Sequence, residues 1–109
     1  MINWSDIKLL QKQKQHLQLK LEELLSLNKK EEIIRLKTEI QKLDKTIDNL
    51  LKSSDIEFNK AGANTKGFYE LKDKLKKINK LKTAISKMIQ TVELYFNNEE
   101  IVNESKKTK

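Results

Sequence analysis

Ile33, Leu36, Ile40, Leu43, Ile47 and Leu50 recur at alternating spacings of three and four. At about 3.6 residues per turn such spacing puts all of them on one side of a helix, as the a/d seam of a heptad pattern. A seam of this kind has to be covered by other helices. Candidates to cover it stand on both sides in the sequence. Downstream, Phe68, Leu71, Leu75, Ile78, Ile85, Ile89, Val92 and Phe96 repeat the spacing, with Lys82 where an apolar residue is expected. Upstream, Ile7, Leu10, Leu17, Leu21 and Leu24 form a third seam, interrupted at Lys14, with Leu9, Leu19 and Leu27 off that face.

Composition agrees with helices and little else. Charged residues make up 36% of the 109-residue chain, aromatics 6%, and proline is absent, which is the profile of long helices or coiled coils. A chain of this length has room for one modest core, so a single helical domain over residues 1–109 is expected. Its two glycines, Gly62 and Gly67, bracket the polar stretch 53–66, where helical periodicity lapses. Helices are therefore expected over about 5–27, 30–52 and 67–97, joined by a loop at 53–66 and followed by a frayed polar tail at 102–109.

Whether residues 5–52 form one helix or two turns on Asn28. The first seam would continue through Asn28 and Glu31, both polar, and the apolar pattern resumes out of phase at Ile33. Asn28 with Glu31 three residues on also resembles a capping box. An unbroken helix over 5–52 would be about 70 Å long against about 45 Å for 67–97, leaving seam uncovered. The expected fold is thus all-α, an antiparallel coiled-coil hairpin completed by an N-terminal helix into a three-helix bundle. The alternative is one long N-terminal helix that pairs in a dimer.

Enzymatic chemistry finds little support. There is one histidine, His16, no cysteine, no glycine-rich phosphate loop, and no spacing of histidine and carboxylate that would hold a metal. No catalytic residue, cofactor, metal or small-molecule ligand is expected. Glu22 with Glu23, Glu31 with Glu32 and Glu99 with Glu100 are sequence neighbours, which diverge on a helix, and read as solvated faces. No cysteine framework, secretory leader or membrane span is evident, so a soluble cytoplasmic protein is expected.

Charge is the stronger functional signal. The net charge is +7, and the stretch Leu71 to Lys87 holds seven lysines against Asp73 alone. With Leu71 at zero, Lys72, Lys76, Lys80 and Lys87 fall at about 100°, 140°, 180° and 160° on a helical wheel. That stripe lies opposite the seam and offers contacts to phosphates or to an acidic partner. Arg35 is the only arginine among 23 basic residues, and no aromatic interrupts the stripe, so base reading or stacking is not expected. Lys82 and Lys14 differ, because each falls inside a seam and would need an acidic partner if buried. Trp4, Phe58, Phe68 with Tyr69, and Tyr95 with Phe96 read as core caps; Trp4, Lys82, Tyr95 and Phe96 are also candidate anchors for a partner.

A helical hairpin with a glycine at the bend, Gly67, and a tyrosine with an acid four residues on just after the last helix, Tyr95-Phe96-Asn97-Asn98-Glu99, resembles the small WxG-type proteins of type VII secretion. Thr65 stands where their tryptophan would be, and the bend lies past mid-chain. The resemblance implies a secretion-associated hairpin as a minor alternative. The main expectation is a non-enzymatic interaction module, of the adaptor, chaperone, immunity or inhibitor kind, that binds another protein or itself as a homodimer. A lysine-rich, sequence-independent nucleic-acid-binding accessory protein is the runner-up. The Lys, Asn and Ile content with a single Arg suits an AT-rich bacterial, phage or plasmid source. Membrane-surface binding is disfavoured, because the apolar face of 68–96 is better buried against 33–50.

Overall fold

A computed structural model describes residues 3–60 and 66–107, with side chains for 3–54 and 67–98. Three helices account for nearly all of it: α1 (Trp4–Leu27), α2 (Lys30–Lys60) and α3 (Lys66–Lys107). Each packs on the other two, and the α2–α3 pairing is the most extensive. This is an all-α three-helix bundle, and the alternative of one unbroken N-terminal helix is excluded by the bend after Leu27. Its extents of 67 × 24 × 15 Å and radius of gyration of 18.2 Å describe a rod; a compact chain of this length would have a radius near about 13 Å.

The bend is built differently from the capping box read in the sequence. Asn28 takes the left-handed conformation (φ 59°, ψ 38°), the only non-glycine residue with positive φ among those described. Its N–H donates to the Leu25 carbonyl at 3.2 Å, and the Lys29 N–H donates to the Leu24 carbonyl at 3.1 Å. That pair of bonds is a Schellman motif closing the C-terminus of α1, a position where asparagine substitutes for glycine because its short side chain tolerates the left-handed region. Asn28 thus ends α1 and does not cap α2. The first turn of α2 starts from the Lys29 carbonyl, which accepts from the Ile33 N–H at 3.0 Å, and Glu31 and Glu32 there oppose the positive end of the helix dipole.

The α1 seam is buried as read, and the α2 seam all but its last residue. Ile7, Leu10, Leu17, Leu21 and Leu24 of α1 and Ile33, Leu36, Ile40, Leu43 and Ile47 of α2 are all in the core, and Leu50 is half-buried against it. In α3 the buried residues are Ile78, Leu81, Ile85, Met88 and Val92, whereas Leu71, Leu75, Ile89 and Phe96 are half-buried. The sequence reading missed Leu81 and Met88. A helix in a two-stranded coil buries one narrow a/d seam, but a helix that touches two neighbours buries a wider stripe. Leu81 and Met88 lie on the side of α3 toward α1, and Lys82 and Ile89 on the side toward α2.

The helices also run further than the periodicity suggested. α2 continues through Lys60, across the first part of the expected loop, and Ser54 there is fully buried. The Ser54 hydroxyl donates to the Leu50 carbonyl at 2.7 Å, so the residue satisfies its own polar group and fits a seam position. The rest of the expected loop, 61–65, lies outside the described residues. Gly67 sits in the first turn of α3, where an added Cβ would meet nothing within 4 Å. α3 continues to Lys107 where a frayed tail was expected, and residues 108 and 109 lie outside the described residues.

Candidate functional site

Each of the three helix pairs carries different chemistry at its surface. On the α2–α3 side, Lys82 reaches across to two acids, with Nζ 2.6 Å from Asp44 Oδ1 and 2.9 Å from Asp48 Oδ1. Asp44 and Asp48 are one turn apart on α2, so both carboxylates project toward the same point. The hydrogen bond to Asp44, outweighing the effect of burial and joined by the bond to Asp48, raises the Lys82 pKa above the usual lysine value. The acidic partner that a seam lysine requires is therefore present twice over. A slip of α3 by one heptad would set Leu75 or Ile89 against the aspartates, so the clip also selects one axial register of the hairpin.

On the α1–α3 side the lysines find no such partners. Lys14 is half-buried at the gap in the α1 seam, and among the described residues it makes no ion pair. It lines an open hollow of about 490 Å³ together with Gln11, Gln15, Gln18 and Leu19 from α1 and Lys77, Lys80 and Leu81 from α3. Glu22 is the one acid on its rim. A second hollow shares Gln18 and Glu22 with the first and continues along the same pair of helices past Ala84, Lys87 and Met88 to Leu25 and Thr91. The half-buried Ala84 leaves the floor low between the larger Leu81 and Met88.

The α1–α2 side is mixed in charge. Its hollows are lined by His16, Glu39 and Lys42 and, further along, by Lys20, Glu32 and Arg35. The one histidine and the one arginine both lie here, with acids beside them. His16 is exposed, as are Glu22, Glu23, Glu31 and Glu32; the side chains of Glu99 and Glu100 lie outside those described.

The stripe of Lys72, Lys76, Lys80 and Lys87 is exposed along α3, and none of the four makes an ion pair among the described residues. Lys74 lies apart from it, half-buried, with its ammonium 5.8 Å from the centre of the Trp4 ring and 4.0 Å from Glu70. That contact sets the start of α1 level with Lys74. Phe68 is half-buried and stacks edge-on with Tyr69 at 5.6 Å, and Tyr69 is 60% exposed.

At the opposite end the Tyr95 hydroxyl donates to Asn28 Oδ1, and Tyr95 and Phe96 are half-buried and edge-on to one another. These two therefore close the bundle over the α1–α2 bend, and Trp4, at 37% exposed, is only partly covered at the other end. Phe58 lies outside the described side chains. Tyr95 and Glu99 both fall inside α3, so the tyrosine-acid pair does not follow the last helix as the type VII resemblance requires.

No three histidine, aspartate or glutamate side chains cluster to hold a metal among the described residues. No described helix is long and apolar enough to cross a membrane. Set beside known protein families, characterised proteins and solved structures, the chain matches none.

Proposed function

We propose that the protein is a non-enzymatic helical interaction module that works by associating its bundle with another protein or with a second copy. The observation that carries this reading is what α3 presents to solvent once the three helices have packed. Leu71 and Leu75 are half-buried at helical spacing, and five exposed lysines, Lys72, Lys76, Lys77, Lys80 and Lys87, have no ion pair among the described residues. Helix-on-helix association is the recognition mode open to such a surface, since apolar side chains at helical spacing insert between those of a partner helix. Adaptor, chaperone, immunity and inhibitor roles all use it. A cytoplasmic setting fits the composition.

Light scattering over a concentration series, followed by capture on the immobilised chain, tests this reading. A strictly monomeric protein that retains no partner overturns it. A Leu71→Asp variant that keeps its helicity but loses self-association or capture supports it and assigns the contact to the hairpin end.

The exposed lysine stripe favours a second reading, sequence-independent binding to nucleic acid. Four lysines in a row would neutralise several phosphates and make binding fall steeply with salt. Absence of binding to duplex or single strand at low salt sinks it, as does binding that survives Lys72, Lys76, Lys80 and Lys87 all being changed to Glu.

A further inference from the structure

We infer that the groove between α1 and α3 is a docking site for an acidic amphipathic helix of a partner protein. The inference rests on the interaction-module reading and names the partner's chemistry. From Lys77 to Thr91 the groove follows fifteen residues of α3, a rise of about 21 Å that matches four turns of a ligand helix. Its apolar part is narrow: Leu19 on the α1 side is 59% exposed, and the half-buried Ala84 leaves a low point between the core residues Leu81 and Met88, where a ligand side chain has room to enter.

The rim decides the occupant. Lys14, Lys77, Lys80 and Lys87 surround the floor, and Glu22 is the only acid among them. Lys82 shows what this fold does when a lysine is to be satisfied internally, by supplying two aspartates. The groove lysines share their hollow with glutamines instead, whose amides carry no charge. A chain of net charge +7 is a poor match for this rim in a second copy of itself, because like charges would face each other. A phosphate backbone is the weaker occupant, since the groove holds no arginine fork and no aromatic to stack on a base. Carboxylates along both flanks of a helix whose third side is apolar satisfy rim and floor together.

The test uses the full chain and a fluorescein-labelled synthetic helix of 18 residues, with leucine at every third and fourth position and glutamate on both flanks. Its counterpart carries lysine for glutamate. Anisotropy should show saturable binding of the acidic peptide only, weakened about tenfold or more as salt rises from about 50 to about 300 mM. Lys77→Glu/Lys80→Glu should weaken it about tenfold, while Lys72→Glu/Lys76→Glu, with the same change of charge on the outer face, stays within about threefold. Ala84→Leu, which fills the floor, should weaken binding without altering its salt dependence. Circular dichroism confirms that each variant remains helical.

Equal binding of both peptides overturns the inference, and so does equal weakening by the two lysine pairs, which would mean diffuse charge attraction. Displacement of the peptide by a 20-base-pair duplex or by oligo(dT) at lower concentration than unlabelled peptide also overturns it, in favour of a phosphate ligand. Partner capture or self-association that persists in Lys77→Glu/Lys80→Glu, with no peptide binding in the parent chain, overturns the groove and leaves the interaction module standing.

Discussion

The two flanks of α3 show the same residue type in opposite circumstances. Toward α2, Lys82 is held between Asp44 and Asp48 and its charge is used up inside the protein. Toward α1, Lys77 and Lys80 meet Lys14 and a row of glutamines. The difference lies on the facing helices and not on α3: the α2 flank carries acids at the matching turn, and the α1 flank carries Gln11, Gln15 and Gln18. A lysine-rich helix therefore has one side closed and one side open. The closed side holds the hairpin in register, and the open side is where a partner's charge is wanted.

The comparison can be broken most severely through the core that both flanks share. Ile85 is fully buried, and Ile85→Ala should lower stability by about 2–5 kcal/mol in urea unfolding. A loss well under about 1 kcal/mol would mean that α3 is not seated between its neighbours in solution.

Charge reversal separates the flanks. Lys82→Glu sets a third carboxylate beside Asp44 and Asp48 and should lower stability by about 1–3 kcal/mol; exchanging those aspartates for lysine in the same chain should restore most of it. Lys80→Glu, on the open side, should change stability by less than about 0.5 kcal/mol. Equal effects at the two positions would erase the distinction.

A finer contrast comes from pH. The folded-state pKa of Lys82 is raised, so its contribution is fully present below the unfolded-state lysine pKa of about 10.4 and is lost as pH rises through the higher folded value. The stability difference between the parent and Lys82→Met should be flat through neutral pH and shrink only above about pH 10. The clip is partly exposed, with Asp48 at 44%, so solvent screening keeps this difference to roughly 1 kcal/mol or less. A difference that instead grows at alkaline pH would remove Lys82 from the clip.

The smallest effect concerns the hairpin end. Gly67 has open space where a Cβ would go, so Gly67→Ala should raise stability by about 0.5 kcal/mol, read as a higher urea midpoint at unchanged slope. A loss would show that the helix start needs glycine for a contact or a conformation.

Much of the fold was legible because heptad spacing admits few other structures. The seams of α1 and α2 follow from the sequence, as does the loss of register between them, since Asn28 and Glu31 fall where apolar residues would be needed; that the chain bends there came from the structure. The chemistry of the bend was misread for a definite reason. Asparagine serves both as an N-cap and as a left-handed C-terminal residue, and the following turn shows which role it takes only once its hydrogen bonds are known. Ser54 misled in a similar way, because a serine that bonds to the carbonyl one turn back is as acceptable in a seam as in a loop. Of the candidate residues, Lys82 was marked by its place inside a seam. Lys14 was marked by the same signal, but the groove it shares with Lys77 and Lys80 was not, because periodicity within a helix says nothing about which face another helix leaves open.

The sequence by itself determined that the chain is helical, where the apolar stripes of α1 and α2 run, that heptad register is lost near residue 28, and that two lysines interrupt the stripes; whether the chain bends there it left open. These are local properties, set by spacing along one chain. Only the tertiary structure decided which lysine meets an acid and which does not, because that depends on the rotation and axial offset with which α1 and α2 are laid against α3. Leu81 and Met88 became core for the same reason, since a third helix widens the stripe that α3 must bury.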